Sequence, residues 1–298
     1  MNDLWKFNIQ TGEWTWMGGS STVTQTGTYG TLGVPSTNNI PPGRTAAAGW
    51  VDQGGNFWMF GGEPVVFTIN FLNDLWKYNP ATGEWTWVSG SNTGLAPGVY
   101  GTLGVASASN VPGARFTPAP WTDTAGNFWF FGGHVDNGAD YFFNDVWEFN
   151  LSTQQWTWNG GSSSFDAPGV YGTLGVPAAT NTPGAREWHT SSTDSTGKFW
   201  LFGGQGKDST TVSYGLLNDL WQFNSQTKQW VWMNGSNTAF AAGVYGQLGV
   251  QSATSVPGAR DSTVSWTDGS GNLWIFGGYG LDSNGTTNDL NDLWRYQP

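Results

Sequence analysis

Glu187, Trp188 and His189 put a carboxylate, an indole and an imidazole side by side, a set that could move a proton or stack on a ligand ring while bonding its polar groups. The only other histidine is His134, so imidazole chemistry is confined to these two positions. Four arginines, Arg44, Arg115, Arg186 and Arg260, recur at intervals of 71, 71 and 74 residues. Gathered at one opening they could hold a carboxylate through bidentate contacts. Each could instead pair with the aspartate of a recurring Asn-Asp-Leu/Val-Trp, namely Asp74, Asp145, Asp219 or Asp292. Four tyrosines, Tyr29, Tyr100, Tyr171 and Tyr245, also recur and offer ring faces. Two oxygen-rich stretches, one with Asp136, Asn137 and Asp140 and the other with Asp282, Asn284, Asp289 and Asp292, contain ligands that calcium accepts. Neither has twelve-residue hand spacing, so Asp136, Asp140, Asp282 and Asp289 are weak candidates, and no metal or cofactor is expected.

Several chemistries lack their residues. There is no cysteine, which excludes disulfides and thiol catalysis, and no Gly-x-Ser-x-Gly elbow, phosphate loop or His-rich metal motif. Ten basic against 21 acidic residues leave a formal charge of −11 without a basic cluster, so nucleic acid and anionic membranes are repelled at long range. No apolar run approaches the roughly 18 residues of a membrane span. The chain opens in mid-repeat after Met1 with no signal peptide ahead of it, as a piece cut from a longer protein would.

What positions these residues is a repeat. Asn-Asp-Leu/Val-Trp begins at 2, 73, 144, 218 and 291, and a constant spacing on this scale means stacked units that cover one another's apolar faces. Each unit reads as four short strands. The runs 4–7 (c) and 14–17 (d) flank a turn; a Gly-rich insert follows; then come 45–51 (a), a turn at 52–56, and 57–60 (b), closed by Gly61-Gly62. Later copies of b are 128–131, 199–202 and 273–276, each ending in Gly-Gly. The insert repeats as well, at 27–34, 98–105, 169–176 and 243–250, and its fixed Tyr and Leu predict an ordered cover on the blade. Four antiparallel strands per unit describe a propeller blade.

On these residues the whole chain resembles the kelch-repeat β-propellers, closest to the Trp-rich bacterial kind related to the galactose-oxidase propeller superfamily. The resemblance implies an all-β, four-bladed propeller forming a single domain over 1–298, with four-stranded antiparallel blades and long ordered d-to-a inserts. Repeats start near 2, 73, 144 and 218, and a partial fifth occupies 291–298. Strand c occurs five times and a, b and d four times, so the ring is expected to close by pairing N- and C-terminal segments, with one c strand surplus. An open array or strand-exchanged oligomer is the rival. The oxidase copper site does not carry over, because it needs a cysteine. The resemblance further implies an extracellular or cell-surface location, and a channel lined by strand a with the arginines at its mouth.

Sorting the 21 tryptophans by repeat position assigns 20 to the frame: five in c, eight in d, four in b and three closing a. Trp188 is the exception, because its repeat has Ser192 where the others have a tryptophan. The b-to-c connections (63–72, 134–143, 205–217 and 279–290) vary most and share a face with the inserts, and variable loops on a rigid scaffold are where binding usually sits. The expectation is a non-catalytic module that recognises a protein or glycan through that face, as a monomer or strand-exchanged homo-oligomer. Its candidate contacts are Trp188, His189, Glu187, His134, the four arginines and the four insert tyrosines. The alternative is an assembly role in which the surplus strand links copies.

Overall fold

A computed structural model describes residues 1–64, 71–210 and 214–298. Parts of two expected b-to-c loops, residues 65–70 and 211–213, lie outside the described residues. Among the described residues every regular element is a β-strand, and the chain divides into two compact units.

The first unit comprises 1–101, 107–118 and 135–140. Its strands are β1 (Leu4–Asn8), β2 (Glu13–Gly18), β3 (Arg44–Thr45), β4 (Ala48–Val51), β5 (Phe57–Phe60), β6 (Glu63–Pro64), β7 (Leu75–Asn79) and β8 (Glu84–Ser89). The four-stranded sheet runs β4-β5-β7-β8, which is the expected a-b-c-d order, and β3 pairs with β6. Large rings stand opposite one another across this sheet, Trp50 against Trp58 and Trp76 against Trp87, because the antiparallel register sends paired residues to the same side. Hairpin β1-β2 packs Leu4 and Met17 onto the core formed by Trp76, Tyr78 and Trp85.

The second unit holds 102–106, 119–134 and 141–298. Its first sheet is β9 (Ala119–Thr122), β10 (Phe128–Asp136), β11 (Asp140–Asn150) and β12 (Gln155–Gly160), in sequence order. After β13 (Arg186–Glu187) come β14 (Thr190–Thr193), β15 (Phe199–Phe202), β16 (Gln205–Lys207), β17 (Tyr214–Leu216), β18 (Leu220–Asn224) and β19 (Gln229–Asn234). These form a four-stranded sheet β14-β15-β18-β19 and a small sheet β13-β16-β17. The last sheet is built from β20 (Arg260–Asp261), β21 (Val264–Thr267), β22 (Leu273–Leu281) and β23 (Thr287–Tyr296), with β23 on the edge beside β22. The core of this unit is aromatic. Trp121 lies 3.8 Å from Phe199, ring centre to ring centre and nearly parallel, amid Trp129, Phe131, Trp221 and Trp230.

Two local devices set the blades. In the a-to-b turn, the carboxylate of Asp52 accepts bonds from the amides of Gly54 and Asn56 and from the Trp58 indole at 2.8 Å. Asp123 with Trp129, Asp194 with Trp200 and Asp268 with Trp274 repeat the indole bond at 2.8–3.0 Å. After strand b, the double glycine lets backbones meet: a Cβ on Gly204, whose φ is +93°, would stand 2.5 Å from the Glu187 carbonyl oxygen.

The inserts lie along the outer strand of the next sheet. Gly33 and Ser36 donate to the Trp87 and Trp85 carbonyls at 2.8 and 3.1 Å, and Asn39 adds its amide to Trp85. In the second unit, Gly104 donates to Trp158 and Gly175 to Trp232, both at 2.8 Å. Outer strands that would otherwise be open edges are thereby partly paired.

Candidate ligand-binding site

The recurring arginines, aspartates, tyrosines and tryptophans meet in one repeated knot. Arg186 Nη1 and Nη2 donate to Asp219 Oδ1 and Oδ2 at 2.6 and 2.7 Å, Tyr171 Oη donates to Oδ2 at 2.6 Å, and the Trp221 indole donates to the same oxygen at 2.7 Å. Arg186 also donates to the carbonyls of Gly184 and Gly203. Arg44, Asp74, Tyr29 and Trp76 repeat this knot in the first unit, and Arg260, Asp292, Tyr245 and Trp294 in the last sheet. Burial opposes the charge on Arg186, and Asp219 more than offsets it, holding the guanidinium above its ordinary value. Burial first, and then Asp219, push the Tyr171 hydroxyl well above the usual phenol range. Arg115 is fully buried and donates Nε to Gly113, and Tyr100 is half-buried in its insert. Arg44, Arg186 and Arg260 are therefore bound to the aspartates of the frame, and Tyr29, Tyr171 and Tyr245 hold their inserts to the same carboxylates.

Glu187, Trp188 and His189 go three different ways because Trp188 has a left-handed backbone, with φ +51°. In an extended strand, residues 187 and 189 would share a face; the left-handed residue between them breaks that alternation. Glu187 is buried with Oε2 3.6 Å from His134 Nδ1, which joins the carboxylate to the end of β10, a strand that continues into the expected b-to-c connection of the preceding repeat. The His189 ring nitrogens are shut off from solvent although the residue is partly exposed, and its ring meets Phe131 edge-on at 5.6 Å. Burial, helped by the charge of Arg186, lowers the pKa of His189 from 6.5 to about 3. A proton exchanged between Glu187 and His189 is thus not what this geometry offers.

Trp188 itself remains 41% exposed. Its left-handed conformation belongs to the frame: Ala46, Thr117 and Ser262, each two residues after an arginine, have φ of 53, 54 and 54°. The carbonyl of Ala46 accepts from the Thr117 amide, and that of Trp188 from the Ser262 amide, both at 2.9 Å. The other three side chains are small, so an indole here is a local choice at a position where a bulky residue is strained. Around the buried pair, His134 stacks on Phe142 at 4.9 Å, Phe142 meets the partly exposed Tyr214 at 4.7 Å, and Lys207 stands 5.8 Å from the Tyr214 ring centre. Phe142, Tyr214 and Lys207 were not among the residues singled out from the sequence. The signal was there in the variability of the 134–143 and 205–217 loops, but not in any one residue type.

The oxygen-rich loops resolve into turns. Asp136 accepts from the Gly138 amide, and Asp282 from those of Asn284 and Thr286; Asp140 and Asp289 are exposed. Among the described residues no three His, Asp or Glu side chains gather as a metal would require.

No protein-family model matches this chain, and a search of curated proteins finds no match.

Proposed function

We propose that this chain is a non-catalytic binding module whose sheets are the blades of a four-bladed, kelch-type propeller domain acting outside the cell. The ligand is a glycan or protein segment that meets the face bearing the b-to-c loops and inserts. One observation carries the reading: an exposed tryptophan stands at the left-handed position where the sister repeats keep Ala46, Thr117 and Ser262. Strain retained in a bulky aromatic points to a role for its ring, and an exposed indole next in the chain to Glu187, whose carboxylate meets His134, is suited to stacking on a sugar or aromatic face while bonding its hydroxyls. The frame residues are committed to one another, which directs recognition to the loops.

The test is a glycan and peptide array probed with the intact chain and with Trp188→Ala, followed by titration of the hits using tryptophan fluorescence. Binding that disappears in Trp188→Ala, with an unchanged melting temperature, supports the reading. Hits held equally well by both proteins would place the site elsewhere.

A further inference from the structure

The small sheet β13-β16-β17 gathers four functional side chains on one side. Glu187 stands opposite Gln205, and Lys207 opposite Tyr214. Directly opposed residues share a side, as do residues two apart along a strand, so Glu187, Gln205, Lys207 and Tyr214 line the same one. The contacts agree: Glu187 meets His134, His134 stacks on Phe142, and Phe142 packs on Tyr214. Arg186 and Gly206, one residue out of step, pair on the other side, where a Cβ on Gly206 would stand 2.5 Å from that of Arg186.

Two polar groups on this side are uncommitted. Among the described residues, the Lys207 ammonium meets no carboxylate and the Gln205 amide makes no hydrogen bond, and both residues are partly exposed. The neighbouring Asp208 is buried, and its carboxylate accepts from the Thr210 amide and hydroxyl and from the Ala239 amide. Lys207 lies 5.8 Å from the ring centre of Tyr214, which is 36% exposed. Of the ten lysines and arginines, Lys207 alone falls within the b-to-c connections and inserts. In those segments of a chain with net charge −11, it is the group that favours a negative ligand.

We infer that this side of the sheet binds a sugar ring carrying a single carboxylate, a uronic acid by chemical class, which rests on the binding-module reading above and narrows its ligand. Opposed side chains stand roughly 5 Å apart across strands, and those two apart along one strand about 7 Å, a footprint that suits one pyranose. The ring stacks on Tyr214, its carboxylate meets the Lys207 ammonium, and the Gln205 amide bonds ring hydroxyls at the other end. Charge fixes the direction: the Glu187 carboxylate beside Gln205 repels an acid there, so the acid goes to Lys207. An acidic peptide side chain offers the carboxylate, but neither a ring face for Tyr214 nor hydroxyls for Gln205. A polyanion is opposed by the net charge.

The test titrates the intact chain with oligosaccharides ending in glucuronic or galacturonic acid and with the same oligosaccharides ending in glucose or galactose, alongside Lys207→Gln, Lys207→Arg and Trp188→Ala. The parent should bind an acid form about tenfold more tightly than its neutral counterpart, an advantage that shrinks as salt is raised. Lys207→Gln should bring the two forms to within about twofold at an unchanged melting temperature, and Lys207→Arg should retain the preference. Equal affinity for the two forms in the parent, or an undiminished preference in Lys207→Gln, overturns the assignment; sugar binding that is lost in Trp188→Ala then leaves the broader reading standing. Peptide binding without sugar binding overturns it as well. Binding to neither sugars nor peptides overturns both.

Discussion

Arg186 and Asp219 form a bidentate pair, Nη1 to Oδ1 at 2.6 Å and Nη2 to Oδ2 at 2.7 Å, with both side chains at 0% exposure. Tyr171 and Trp221 donate to the same carboxylate, so the pair joins an insert, the start of strand a and strand c. Removing one partner leaves a buried charge uncompensated. Asp219→Asn or Arg186→Met is expected to cost about 3–5 kcal/mol, and Tyr171→Phe about 1 kcal/mol. Urea unfolding followed by tryptophan fluorescence checks this; an Asp219→Asn chain as stable as the parent would refute it.

His189 makes stability depend on pH. Its folded pKa is lowered to about 3 from 6.5, so above pH 6.5 both folded and unfolded chains hold it neutral and its contribution is fully present. As pH falls below 6.5 the unfolded chain takes up a proton that the folded chain refuses, and stability falls by up to about 1.4 kcal/mol per pH unit until about pH 3. His189→Gln should therefore lose roughly 2 kcal/mol less than the parent between pH 7 and pH 5. Parallel slopes for the two proteins would show that another group dominates.

Trp188→Gly removes a bulky residue from a left-handed position whose φ is +51°. Relief of strain of about 1 kcal/mol opposes the loss of ring contacts, so stability should change by less than about 1 kcal/mol while array binding is lost. Denaturant midpoints measured beside binding separate these effects; a large destabilisation would mark the ring as a core element.

Gly204 and Gly83 both have positive φ but differ in their surroundings. A Cβ on Gly204 would stand 2.5 Å from the Glu187 oxygen and 2.8 Å from the His189 Cβ, while one on Gly83 meets nothing within 4 Å. Gly83→Ala should cost about 1 kcal/mol from backbone strain alone, and Gly204→Ala about 3 kcal/mol or more. Equal costs in thermal unfolding would remove the steric part of this account.

The main strands and their order in the four-stranded sheets were legible in the sequence; overlooked were the break of strand a at its left-handed residue, Ala46 between β3 and β4, and the strands inside the expected b-to-c connections, such as β16 and β17. Alternating Trp-x-Trp and Gly-Gly after strand b are local requirements of backbone and pleat, and the repeat states each of them four times. The repeat also sets 20 tryptophans apart from Trp188. Legible but undecided was the use of the arginines, for Arg186 and Asp219 lie 33 positions apart and a guanidinium serves an aspartate or a ligand equally well.

What only the tertiary structure decided is where neighbouring side chains go. Glu187 and His189 look like one cluster on paper, yet a single left-handed residue turns one to His134 and the other onto Phe131. Phe142 on β11, Lys207 on β16 and Tyr214 on β17 join the candidate site from segments of differing length that no period relates. The sequence by itself determined the repeating frame, because hydrogen bonding and apolar alternation act between near neighbours and recur with the period. The site was left to the tertiary structure, because it depends on distances between separate segments of the chain, which are set only once the sheets have packed.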